Sequence, residues 1–250
     1  MKRLLFTVSV ALISVMNCQA QLVLKNVEDF SVGSNSRYLK IKDANNLLPG
    51  PSGDNVTWDF SQLSISGTDT AFQEIVNAKE SKYSSTFPNA DIAEKNNDGS
   101  WVFQQKNKDN NIVWGVVSEQ GLEMANTTPY TFIKRPFKYK DSIGGVAERK
   151  YSLQGQPVNG TNTYYTIADG WGTLKLGNKV YKNVLRIKFA QVFEDRSPSS
   201  VTKITIVSYG WFDKDHRSSL LKMNHVKIEN KWYNKEDSEV MALINEYIAQ

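Results

Sequence analysis

Cysteine is almost missing from this chain. The single thiol among 250 residues, Cys18, lies in the first twenty positions. Beyond that point there is no disulfide, no thiolate nucleophile and no cysteine-ligated zinc site to consider. Histidine is nearly as scarce, with only His216 and His225, which leaves few places for acid–base or metal chemistry to stand. A dominant charge is lacking too. Thirty basic residues face 26 acidic ones, and residues 1–20 hold Lys2 and Arg3 but no acid, so the remainder carries a formal charge of only +2. Lys134, Arg135, Lys138 and Lys140 are interrupted by aromatics and proline, and a phosphate-tracking surface would show a clear basic excess. Nucleic acid is therefore not the expected partner. Long apolar runs are absent as well. The longest, Leu4–Met16, falls short of the roughly 20 residues that span a bilayer, so no transmembrane segment is expected.

That short run is informative. Lys2 and Arg3 precede it, and Cys18-Gln19-Ala20 supplies a small-residue exit before Gln21, the pattern of a secretory signal peptide cleaved between Ala20 and Gln21. A lipoprotein reading of Cys18 has a suitable Val15 but meets Asn17 where a small residue belongs, so ordinary cleavage is preferred to lipidation. The expected product is an exported domain of residues 21–250, periplasmic or secreted to the cell surface. Its length suffices for a core that needs no disulfide.

After the leader, Val, Ile, Thr, Tyr and Trp recur in runs of four to eight residues, broken by Gly, Asn, Asp, Ser and Pro. In Trp101–Gln105 and Thr202–Tyr209 every second residue is apolar over most of the run, which predicts antiparallel strands with two unlike faces. Asn96-Asn97-Asp98-Gly99 and Lys108-Asp109-Asn110-Asn111 offer hairpin turns. The expected fold is mostly β: a single antiparallel meander forming a curved, partly closed sheet or a sandwich. One helix is expected at about 235–249, where Asn234 can cap, Glu236 and Asp237 occupy the first turn, and Val240, Leu243, Ile244 and Tyr247 share a stripe.

Four stretches carry a family likeness. They are Pro49–Leu63 with its Trp58-Asp59-Phe60-Ser61, Phe87-Pro88-Asn89-Ala90, Asp169–Leu176 running on through Tyr181–Lys188, and Tyr209-Gly210-Trp211-Phe212 with Leu220-Leu221. Together they span about residues 45–225, and they resemble an uncharacterised β-rich domain family of secreted proteins from Bacteroidetes-type bacteria. In that family the domain is often followed by a type IX secretion sorting domain. The resemblance implies an envelope or extracellular location and brings no established activity with it.

No nucleophile elbow, zinc-protease helix, phosphate loop or dinucleotide fingerprint occurs. Asp213, Asp215 and His216 could be drawn as a metal or acid–base loop, but the same residues suit a polar turn between two strands, and the turn is preferred. Glu74, Glu119, Glu123, Asp169 and Glu194 are carboxylates of equal standing, none singled out by spacing. Asp69-Thr70-Ala71 and Asp141-Ser142-Ile143 fit a short O-glycosylation pattern at Thr70 and Ser142. Aromatic content argues better: Trp171, Arg186 and Trp211 are the candidate ligand-facing residues. Arg186 has a competing structural reading, pairing with Asp169. The expectation is a cofactor-free, non-catalytic binding or structural protein for a glycan, peptide or lipid-like ligand. The alternatives are a hydrolase on a β-sandwich scaffold, which would bring carboxylates together in one pocket, and a lipocalin-like carrier, which would form a closed barrel around a dry apolar cavity.

Overall fold

The computed structural model describes residues 22–42, 44 and 46–250. The leader, Cys18 and the Ala20–Gln21 cleavage point lie outside the described residues. The strands are β1 (Val23–Leu24), β2 (Asn35–Lys40), β3 (Gly53–Phe60), β4 (Thr70–Asn77), β5 (Ile92–Asn96), β6 (Trp101–Lys106), β7 (Asn110–Val117), β8 (Glu123–Lys134), β9 (Phe137–Lys138), β10 (Ser142–Leu153), β11 (Gln156–Leu176), β12 (Lys179–Arg196), β13 (Val201–Phe212), β14 (Leu221–Glu229) and β15 (Asn234–Tyr247).

Twelve of these form a ring in chain order. From β2 the sheet passes through β4, β5, β6, β7, β8, β10, β11, β12, β13, β14 and β15, every neighbour antiparallel, and β15 then pairs with β2. The meander expected from the turns is present, but it closes fully into a barrel; it is neither a partly closed sheet nor a sandwich. Closure removes both free edges, which an open sheet of this length would expose.

The strand that closes the ring is the segment expected to be a helix. No C-terminal helix forms: β15 pairs along its length with β14, from Leu221↔Ala242 to Glu229↔Asn234, and with β2 from Met241↔Lys40 to Tyr247↔Asn35. Two sheet edges offering hydrogen bonds outweigh a helix propensity that differs by only tenths of a kcal/mol per residue. The helical stripe also fails the burial test. Val240 is buried, yet Ile244 and Tyr247 are exposed, whereas the strand alternation puts Val240 and Ala242 outside and Met241 inside.

The wall reverses the usual polarity over part of its circumference. On β14, Lys222 and Asn224 face the lumen, while Leu221 and Met223 point outward and are nonetheless buried. On β6, Val102 and Gln104 face in and Phe103 faces out at 0% exposure. Two excursions of the chain cover these outer apolar faces. The segment 41–69 carries β3, which adds to β11 in parallel and lays Trp58 and Phe60 against Trp211, Leu221 and Val240. The segment 77–91, opened by a single 3-10 turn at Ala78–Glu80 that Asn77 caps, lays Tyr83 and Phe87 on Phe103. Phe87 stacks on Phe103 with centroids 4.2 Å apart. Gly172 lets β3 come close, since any side chain there would overlap the Val56 carbonyl. Elsewhere the outer wall is wet and carries both signs of charge, Glu148 and Lys150 on β10, Lys188 and Glu194 on β12, Lys227 and Glu229 on β14.

Under the 41–69 cover sits a buried cation. Arg186 is 2% exposed and holds Asp169 through Nε at 2.8 Å and Nη2 at 2.9 Å, while Nη1 donates to the carbonyls of Pro49 and Gly50. Its guanidinium lies 5.1–5.8 Å from the ring centroids of Trp58, Tyr209 and Trp211. Nη1 ties the Pro/Gly loop to the wall, and the Asp169 pair fixes the guanidinium that does so. Removing one partner strands a buried charge. Asp169→Ala is expected to cost about 3–5 kcal/mol, read as a lowered urea midpoint, whereas Lys175→Ala, which breaks the exposed pair with Asp59, is expected to cost under about 1 kcal/mol.

Candidate functional site

The barrel has unlike ends. Strand directions alternate, so the hairpin tips at 97–100, 118–122, 153–156, 197–200 and 230–233 gather at one rim. The opposite end is crossed by residues 22–34, which enter beside β9 through β1. Polar side chains of the wall grip the backbone of this segment. Arg135 donates to the Val27 carbonyl, Asn111 Nδ2 to that of Glu28 at 2.9 Å, Arg217 to that of Asp29, and Lys106 Nζ to that of Phe30 at 2.7 Å. Leu24 and Val27 pack against Ile133, Phe137, Leu185 and Phe212. The segment forms a floor.

Glu28 is the residue that this floor turns inward. Its φ of 52° is a left-handed conformation that non-glycine residues seldom adopt. The backbone is fixed on both sides, the amide donating to Arg217 O at 3.1 Å and the carbonyl accepting from Asn111. The side chain projects into a chamber of about 360 Å³ enclosed by the barrel. Toward the rim the chamber wall is apolar and aromatic, with Val113, Tyr130, Phe189 and Ile206, while Phe132 and Ile187 pack against the floor cluster of Leu24 and Val27. Polar groups lie near the floor as well. Lys222 Nζ donates to Gln73 Oε1 at 3.0 Å, Gln73 Nε2 donates to Glu94 Oε1 at 2.8 Å, and the ammonium lies 4.4 Å from the centroid of the Tyr38 ring. Among the described residues, no hydrogen bond reaches the Glu28 carboxyl.

Burial dominates the electrostatics here. Desolvation lifts Glu28 from 4.5 to about 7, assisted by Glu94 and Glu246 and opposed by Lys222 and Arg135. For Lys222 desolvation opposes the charge, but the surrounding acidic groups prevail and hold the ammonium above its ordinary range. Burial likewise pushes Tyr130 up to about 12 and raises Tyr38. The floor therefore presents a firm cation already engaged and a carboxyl poised near neutrality that is not.

Toward the rim the chamber adjoins a wider vestibule of about 620 Å³, Ile206, Ser208 and Asn224 lining both. The vestibule wall is charged, with Lys40, Asp98, Glu119, Lys235, Asp237 and Glu239. Lys40 pairs with Glu239 at 3.0 Å across this vestibule.

The residues singled out by sequence lie elsewhere. Arg186 and Trp211 are buried in the outer core, 2% and 0% exposed, and Trp171 packs beside Ala168 and Leu185 near the floor; none of the three lines the chamber. Arg186 and Trp211 pack beneath the 41–69 cover, and Trp171 is half-buried against the floor cluster. Asp213 accepts from the amides of Asp215 and His216 and lies 2.9 Å from His216 Nδ1, a self-contained turn between β13 and β14. That hydrogen bond raises the His216 pKa. No group of three or more His, Cys, Asp or Glu side chains placed to hold a metal occurs among the described residues. Of the five acids given equal standing, only Glu119 touches either cavity, at the vestibule. Thr70 is half-buried at the start of β4, and Ser142 is exposed at the start of β10. Glu28, Glu94, Gln73 and Lys222 were not singled out. The clue in the chain is Lys222 and Asn224 alternating with Leu221 and Met223, a polar face that belongs to the lumen.

No family model, no curated protein and no solved structure matches the chain. The functional argument therefore rests on the chamber alone.

Glu28 also sets a pH dependence. A carboxyl whose folded pKa exceeds its unfolded value binds protons more tightly when folded, so it is neutral in effect below about pH 4.5, costs stability progressively up to about 7, and costs a constant amount above. Glu28→Gln is expected to raise stability by up to about 3 kcal/mol at pH 8 and to change it little at pH 4.5. Urea unfolding at the two pH values reads the difference, and equal effects at both would contradict the assignment.

Proposed function

We propose that the protein is an exported carrier or binding protein that takes an amphipathic small molecule into the barrel, apolar body against the apolar wall and polar head at Glu28. The observation that carries this reading is the chamber itself. A closed ring encloses about 360 Å³ of mixed apolar and charged wall, sealed at one end by residues 22–34 and opening at the other, within the size range of small-molecule sites. Of glycan, peptide and lipid-like ligands, the last fits best, because a glycan would meet few hydroxyl partners on Val113, Phe132, Ile187 and Phe189. The chamber departs from a dry carrier cavity at its charged floor. That floor confers choice of head group.

The envelope or extracellular location is supported by the Lys2-Arg3 start, the apolar run and the Ala20 exit, and by the resemblance of the four segments to secreted Bacteroidetes-type proteins. The charged outer wall suits water on the barrel exterior, since a hydrocarbon belt would reject Glu148, Lys188, Glu194 and Lys227. Ser142 keeps an accessible hydroxyl should the protein be O-glycosylated.

The hydrolase alternative has one observation in its favour: Glu28 and Glu94 share a chamber, and Glu28 is held near the pH where a general acid–base is most effective. Against it, Glu94 is engaged by Gln73, and neither His216 nor His225 lines the chamber.

The test is to block the passage. Ser208→Trp at the junction of chamber and vestibule is expected to weaken binding of an uncharged, environment-sensitive naphthyl dye at least tenfold, while Thr205→Trp on the outward face leaves it unchanged. Equal dye binding by wild type and both variants would place the dye on the outside and refute lumenal binding.

A further inference from the structure

We infer that the head group this chamber selects is a basic amine, which pairs as an ammonium with the Glu28 carboxylate. The inference rests on the lumenal binding reading above and adds the chemistry of the ligand to it. Its ground is the hydrogen-bond account of the floor. Lys222 is engaged by Gln73 and the Tyr38 ring, and Gln73 links it to Glu94, so that cation and that carboxylate balance one another. Glu246 accepts from the amides of Ser218 at 2.6 Å and Arg217 at 3.2 Å. Arg135 spends its donors on the carbonyls of Val27, Asn107, Lys108 and Asn110. Once these internal bonds are counted, Glu28 is the carboxyl at this floor whose side chain has no hydrogen-bond partner among the described residues.

The backbone places it there deliberately in physical terms. A left-handed φ at a non-glycine residue costs on the order of 1 kcal/mol or more, and here two backbone hydrogen bonds hold it. An anionic head would meet Glu28 and Glu94, and would have to draw Lys222 away from Gln73, the Tyr38 ring and the acids around it. An alcohol could donate only once. An ammonium offers three donors and neutralises the Glu28 charge, in a chamber whose lining includes the aromatic rings of Tyr130, Phe132 and Phe189.

The same groups set the pH behaviour. Glu28 is faced by Lys222 from β14, Glu94 from β5, Arg135 from the turn after β8 and Glu246 from β15. Because enclosure and the two acids lift it to about 7, the carboxyl must surrender a proton to receive an ammonium below neutrality. Amine affinity then falls as the pH drops, and the affinity of an uncharged ligand does not.

Calorimetric titration of the full protein with octylamine, octanol and octanoate at pH 6 and pH 8 tests this. At pH 8 octylamine is expected to bind about tenfold tighter than octanol, with octanoate weakest. At pH 6 the amine is expected to lose most of that advantage while octanol is unchanged. E28Q should bind octanol as wild type does and show no amine preference; should E28Q not fold, the wild-type head-group and pH series decides. Octylamine and octanol binding equally at pH 8, or octanoate binding best, would overturn the amine inference and leave lumenal binding standing. No binding of any of the three would overturn both.

Discussion

Everything inside this protein depends on one strand pairing, that of β15 with β2. Met241 meets Lys40 and Tyr247 meets Asn35, joining the end of the chain to its beginning and converting a long meander into a ring. Without that pairing there is no lumen, Glu28 and Lys222 are not enclosed, and both would titrate as ordinary surface groups. The chemistry of the chamber is thus a property of closure, since desolvation is the largest influence on Glu28 and comes from strands far apart in sequence.

The second organising feature is the reversal of wall polarity. A half-buried strand shows one apolar and one polar face, and the ordinary inference puts the apolar face in the core. Here the apolar faces of β14 and β6 do find cores, but outside the ring, beneath the 41–69 and 77–91 segments. That frees the inner face for Lys222, Asn224 and Gln104. Packing energy is obtained externally, and the interior can remain partly empty and polar. Arg186 belongs to this arrangement, because it binds the external cover to the wall.

These two features explain what could be read from the chain. Strand positions were legible because alternation is local: the runs Trp101–Gln105 and Thr202–Tyr209 both fall within observed strands, β6 and β13. The meander was legible because hairpin turns such as Asn96–Gly99 are local as well. Closure was not, since nothing within Asn234–Tyr247 announces that its partner lies two hundred residues earlier, and its Glu and Leu content reads as helix. Arg186 and Trp211 stood out for their chemistry, but burial decided their role. Glu28 escaped notice because its character comes from the floor on which it lies. Val27-Glu28-Asp29 is an unremarked acidic stretch until Asn111, Arg135 and Arg217 hold its backbone across the barrel end.

The β15–β2 pairing also orders events in time. The wall zips hairpin by hairpin, each new strand meeting the previous one, yet β2 must wait with an unsatisfied edge until the last strand exists. Contacts of such sequence separation form slowly. Until β15 exists, the growing chain can form at most an open ribbon with two free borders, vulnerable to joining a second ribbon. The completed ring has no border to offer, so its last strand serves as the latch that ends that exposure.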